Sequence, residues 1–278
     1  MRLAVSAPEA VVAPATLYLQ VARQSFRRHL AYRGATLAGL FTNAGFGVLV
    51  ASVFTALYRS RDAVDPSVAG FTLTEVLTFI WLGQSLIMLV YLWGWWEVAA
   101  AIQSGDVVAD LMKPIDYYTF WLSRDLGRAA CHFLVRFVPT LLFGALLYRL
   151  AFPRSMWTCL AFAGSLVLAV IVSFAFRFIL NASAFWLLDV RGLMSVATMV
   201  TNLFSGLLVP IPFFPPWLRT VTEFLPFRAF VMVPIEVFLG HGNPVAALGL
   251  QLFWAVSLSL LARAVLAIAV RKVVVQGG

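Results

Sequence analysis

Long apolar runs alternate with short clusters of charge along this chain, on a scale of about 20 residues that suits membrane-crossing helices better than strands or surface helices. Charge-free runs cover residues 34–58, 76–96, 155–176, 192–218 and 242–262, and a sixth, 129–148, is broken only by Arg136. Each can span a hydrocarbon layer of about 30 Å at a rise of about 1.5 Å per residue. The fourth run continues past Arg177 to residue 188. The fifth ends near Pro210, because Pro210, Pro212, Pro215 and Pro216 cannot share one regular helix. The pattern therefore predicts an all-α membrane protein: one transmembrane domain over 1–278, with six transmembrane helices at 34–58, 74–97, 129–149, 155–188, 192–210 and 243–270.

Three intervening segments carry structure of their own. Residues 16–33 read as an amphipathic interfacial helix, with Leu19, Ala22, Phe26 and Leu30 on one face and Gln20, Gln24, Arg27 and Arg28 opposite. Residues 98–128 form a loop holding a short helix that starts after Ser104 and stops before Pro114, with Asp106 and Asp110 one turn apart. Residues 211–242, rich in proline and aromatics, predict short re-entrant or interfacial outer helices.

Composition agrees with a lipid solvent. The chain is 62% hydrophobic and 12% charged, whereas soluble domains run about 45–50% apolar and about 25% charged. Its net charge of +8 is scattered between apolar runs, which favours anionic headgroups over nucleic acid as partner. Arg2, Arg23, Arg27, Arg28, Arg33, Lys113, Arg124, Arg128, Arg191, Arg271 and Lys272 gather on one side of the six spans. Arg59, Arg61, Arg149, Arg154, Arg219 and Arg228 gather on the other. The larger set marks the cytoplasmic side and puts both termini there. Arg136, Arg177 and Arg263 fall in the cytoplasmic halves of their spans, where they can snorkel or pair with Glu97. Most Trp and Tyr residues fall near the interfaces as belt anchors, and Cys131 and Cys159 read as unpaired packing residues.

The missing chemistry is equally informative. Neither lysine, Lys113 nor Lys272, sits in a phosphate-binding loop, no nucleophile elbow occurs, and His29, His132 and His241 lie far apart without a ligand set. The sequence thus nominates no catalytic residue, no metal site and no cofactor. No span carries an acid at mid-depth, so an ion-coupled carrier lacks its usual group. Two polar stripes stand out: Thr36, Gly39, Asn43 and Gly47 on the first span, and Ser195, Thr198, Asn202 and Ser205 on the fifth. They suit either helix packing through small and hydrogen-bonding residues or the lining of a pathway or subunit interface.

The loop reads Ile102-Gln-Ser-Gly105-Asp106-Val107-Val-Ala-Asp110-Leu111-Met112-Lys113-Pro114-Ile-Asp116, followed by Leu122-Ser-Arg124-Asp125-Leu-Gly127-Arg128. With the amphipathic start and the outer segment from Phe214 to Gly240, it resembles bacterial ABC-type permeases of the type-2 exporter class, in a six-span branch that works beside a second permease and an ATPase. The resemblance implies a coupling helix over Gly105, Asp106, Val107, Asp110, Leu111 and Met112, with Lys113, Arg124 and Asp125 nearby, seated on the ATPase. It also implies a permease dimer, a heterodimer with a homodimer as the alternative, with ATP and Mg bound by two ATPase copies and none in this chain. The competing classes are a self-contained secondary carrier and a membrane-embedded lipid-modifying enzyme.

Overall fold

The computed structural model describes residues 15–60, 67–68, 70–90, 95–153, 155–187 and 189–271. These residues form helices and connecting turns, with no strand beyond an isolated bridge between Val68 and Phe71. Five helices are long and apolar enough to cross a membrane: Thr36–Arg59, Leu73–Val90, Tyr117–Leu147, Met156–Phe185 and Pro244–Val270.

Helix α1 (Ala15–Ala31) leads into α2 (Arg33–Arg59). Helix α3 (Leu73–Leu89) opens on a capping box, with Glu75 N donating to Thr72 Oγ1 at 3.3 Å and Thr72 N to Glu75 Oε2 at 2.8 Å. Two short helices follow, α4 (Glu97–Ser104) and α5 (Val107–Leu111), and then α6 (Tyr117–His132). The predicted loop over 98–128 is therefore a loop only as far as Asp116. Its second half is the first half of a 31-residue helix, because Asp116 accepts from Thr119 N at 2.8 Å and caps a new start there.

A π-helical turn at Phe133–Phe137 joins α6 to α7 (Val138–Leu147). Pro139 accounts for it: proline offers no N–H to the carbonyl four residues back, and the wider turn accommodates the gap. Helix α8 (Met156–Ala182) is capped by Ser155, and α12 (Pro244–Val270) by Asn243. Between them lie α9 (Arg191–Phe204), α10 (Pro216–Glu223) and α11 (Met232–Leu239). Where the sequence predicts a fifth span over 192–210, α9 has 14 residues, a rise of about 21 Å. It stops at Phe204, and Gly206 takes a positive φ of 83°, so the chain turns before the prolines are reached.

Helix α3 forms the centre of the bundle, packed by α2, α7, α6 and α11. Trp81, fully buried, keys it to its neighbours. The indole lies so close to Gly144 of α7 that any β-carbon there would overlap it, and a β-carbon at Gly47 of α2 would come within 2.9 Å. Both glycines serve this close approach. Helices α8 and α12 pair along their length around Gln251, which is 0% exposed. Its amide accepts from Ser165 Oγ at 2.8 Å and donates to Ala229 O at 2.9 Å, an interhelical tie between groups that lipid could not satisfy.

A candidate coupling segment and its brace

Gly105 closes α4 in the left-handed conformation (φ +85°), which reverses the chain within two residues. Asp106 precedes α5 and accepts from Ser104 Oγ at 2.7 Å. Val107 is 2% exposed and packs with Trp95, Tyr117 and Trp121, and Leu111 leans on the same cluster. Asp110 accepts from Lys113 Nζ at 2.6 Å. Met112, beside it, is 80% exposed. The segment thus has an apolar inner side bound to the bundle and an outer tip that presents Asp106, Met112 and Lys113.

Both ends of this segment are held. Asp116, at its exit, accepts from Arg263 Nη1 of α12 at 3.0 Å, and Arg263 Nη2 reaches Thr119 Oγ1 at 2.8 Å. Burial pushes the Asp116 carboxyl upward, but the hydrogen bonds from Thr119 and Arg263 outweigh it and hold the group below its usual range. Tyr118 donates to Ser259 Oγ of α12 at 2.8 Å. At the entrance, Ala99 N donates to Asn181 Oδ1 of α8 at 3.0 Å, while Asn181 Nδ2 donates to Trp95 O at 3.1 Å. Glu97 accepts from Arg124 Nη2 at 2.7 Å.

Beneath the segment lies a buried cluster of charges. Asp125, 4% exposed, accepts from Arg128 Nε at 2.8 Å and from Arg177 Nη2 at 2.9 Å. Arg128 also donates to Met88 O at 2.6 Å and Leu89 O at 2.9 Å, in the last turn of α3, where carbonyls lack helical partners and favour a cation. Arg177 lies 5.2 Å from the Trp95 ring centroid. One carboxylate thereby joins α3, α6, α8 and the entrance of the coupling segment.

Helix α1 docks on α6 through Tyr18, Ala22, Ser25 and His29, a face rotated from the predicted apolar one. Leu19 is 71% exposed and Leu30 45%. Close fit decides the rotation: Gly127 of α6 rests directly on the Ala22 backbone, with no room for a β-carbon. Ser25 Oγ donates to Arg124 O at 2.6 Å, and Asp116 N donates to Tyr18 Oη at 3.2 Å. The His29 ring meets His132 edge-on at 5.6 Å. Burial keeps the His29 imidazole below its ordinary pKa, with Arg128 and Arg28 acting in the same sense.

The candidate residues therefore divide. Gly105, Asp106, Val107, Asp110, Leu111, Met112 and Lys113 share one protrusion, with Arg124 and Asp125 in its brace. The polar stripes do not form a common surface. Asn43 turns into the bundle and donates to Gln84 O of α3 at 3.1 Å, and Thr36 bonds back to Tyr32 O at 3.0 Å. On α9, Ser195 is exposed and bonds to Arg191 O, Thr198 lines a cleft against α8, and Ser205 is buried at the helix end. No hydrogen bond links Asn202 or its neighbours to the α2 stripe among the described residues. The predicted snorkelling or Glu97 pairing of the three intramembrane arginines is also revised. Arg177 pairs with Asp125, Arg263 with Asp116, and Arg136 packs its guanidinium on Gly39 of α2. Sequence reasoning gave Arg128, Asn181 and Trp95 no place in the site: Arg128 counted as one of the cytoplasmic charges and Trp95 as a belt anchor, whereas the structure buries both in the brace.

Among the described residues no group of three or more His, Cys, Asp or Glu side chains is placed to hold a metal ion. Cys131 and Cys159 are both free thiols. No curated protein and no solved structure was found to match the chain. A family model described as ABC-2 family transporter protein matches residues 48–277, from the middle of α2 through α12. This multi-pass membrane chain belongs to that family and is a permease of the ABC transporter type.

Proposed function

We propose that the chain is the membrane subunit of an ATP-driven exporter in the bacterial cytoplasmic membrane, supplying half of a translocation pathway and no catalytic group. A separate ATPase, present in two copies with ATP and Mg, docks on the tip formed by Asp106, Asp110, Met112 and Lys113. A second permease subunit, different in sequence rather than identical, completes the pathway. Ser195, Thr198 and Asn202 of α9 and Thr36 of α2 belong to that pathway or to the seam between subunits, while Asn43 and Ser205 serve helix packing. Both termini and the coupling segment lie on the cytoplasmic side, with α10 and α11 outside and α9 completing a sixth crossing together with residues 205–210.

The observation that supports this reading is the contrast between tip and brace. Met112 is 80% exposed at the end of a segment tied to α8 through Asn181, to α12 through Arg263 and to α3 through Asp125 and Arg128. Force on the tip reaches three long helices at once, which is what a coupling element has to do. The test is co-purification. Asp106→Arg combined with Asp110→Arg leaves membrane insertion intact and removes the ATPase from the purified complex. Undiminished assembly and transport in that variant would reject the coupling role. In liposomes the chain alone moves no solute down a gradient, whereas a self-contained carrier would.

A further inference from the structure

A cleft opens between α8 and α9 beside the entrance of the coupling segment, with Trp95, Phe176, Met194 and Phe230 as apolar walls. Three polar side chains of its lining are engaged by the protein itself. Ser173 Oγ donates to Val90 O at 2.8 Å, Arg177 Nη2 donates to Asp125 Oδ2 at 2.9 Å, and Asn181 holds Trp95 O and Ala99 N. The two threonines of α9 in the lining, Thr198 and Thr201, differ. Other helix hydroxyls fold back on the carbonyl four residues earlier, as do Thr36, Thr42 and Thr55 on α2, Thr78 on α3 and Ser195 on α9 itself. Thr198 and Thr201 make no side-chain hydrogen bond among the described residues, although Thr201 is only 4% exposed.

We propose that this cleft binds a neutral single-chain amphiphile whose hydroxyl or carbonyl meets Thr198 and Thr201. A hydroxyl left without a partner in an apolar cleft is costly wherever water cannot replace one. A ligand group that pairs with the threonines removes that cost, and since each hydroxyl both donates and accepts, an alcohol or an ester suits them equally. An ionic headgroup fits less well, because it must shed its water to enter and Arg177 already faces a carboxylate. The cleft volume is about 40 Å³, far below the ~150 Å³ of a cavity that admits benzene, so it takes one slender chain and not a ring system. That chain runs along Phe176, Met194 and Phe230 and continues outward into lipid. The coupling tip has no part in the site, and binding is measured without an ATPase. Its failure and a failure of the coupling reading are therefore separate results.

The experiment uses the full chain in phosphatidylcholine nanodiscs and a photoreactive long-chain alcohol, beside an alkane, an alkyl phosphate and an alkyl ammonium of equal length. The alcohol labels the peptides around 173–181 and 194–201 saturably, at least about tenfold more than either charged probe and about fivefold more than the alkane. Thr198→Val combined with Thr201→Val removes both hydroxyls at nearly constant shape. It brings labelling by the alcohol down to that by the alkane and leaves the alkane's unchanged, a split that a general loss of structure would not produce. Ala197→Phe, which fills the cleft, abolishes labelling by both. Thermal unfolding is recorded for each variant, and the probe preference of the unaltered chain decides even where a variant unfolds. Preferential labelling by either charged probe, equal labelling by alcohol and alkane, or an undiminished preference for the alcohol in the double valine variant would overturn the assignment.

Discussion

Helices α2 and α3 are neighbours of nearly equal apolarity and opposite fate: 17% of the apolar window of α2 is buried, against 72% of that of α3. Hydropathy alone ranks them together. What separates them is size matching. Helix α3 carries Trp81, for which Gly47 and Gly144 leave room on either side, and its last carbonyls receive Arg128. Helix α2 instead turns Leu37, Phe41, Leu49 and Val53 outward, each more than 60% exposed. In lipid, burial brings no hydrophobic gain over exposure to acyl chains, so helices associate where shape and hydrogen bonds fit. The difference shows which helix the chain holds for itself and which it offers to its surroundings.

The largest blow to that contrast is Asp125→Ala. It leaves two arginines without their shared carboxylate at the lower end of α3 and costs about 3–5 kcal/mol, read as a loss of folded chain in mixed-micelle unfolding. Trp81→Ala strikes the same helix higher up. The two glycines offer no side chain to fill the space the indole leaves beside Phe143 and Tyr148, and the expected cost is also about 3–5 kcal/mol. Gly127→Ala forces a β-carbon into the Ala22 backbone and costs about 1–3 kcal/mol, with α1 becoming accessible to protease while the long helices stay folded. Phe41→Ala on α2 changes the stability of the isolated chain by no more than about 0.5 kcal/mol. A loss above about 1 kcal/mol there would break the comparison, because it would mean that the exposed face of α2 is held by this chain after all.

Much of the fold was legible from residues because spans announce themselves by length and absence of charge. Where the reading fell short, contacts distant in sequence were responsible. The 31-residue helix from Tyr117 was hidden because its first half carries Arg124, Asp125 and Arg128, charges that look like loop until Arg124 is seen paired with Glu97 and the other two buried against α3 and α8. The face by which α1 docks on α6 was not read from the sequence, because hydropathy marks Leu19 and Leu30, which stay exposed, whereas the dock is set by backbone approach at Gly127 to Ala22 and by the Ser25 hydroxyl. In the candidate site, a short helix between Ser104 and Pro114 was read from local signals, whereas the chain reversal at Gly105, which the reading had placed inside that helix, was not. Nor was the brace, since nothing in the spacing of Asp125, Arg177 and Asn181 announces that they meet.

The π-helical turn at Phe133–Phe137 sets the angular phase of everything after it. One extra residue in a turn swings the following faces by about 100° around the helix axis, and Gly144 meets the Trp81 indole only with that offset in place. Deleting a single residue from 133–137 would straighten the rod and rotate Gly144 away from its indole. The upper half would keep its composition and lose its address.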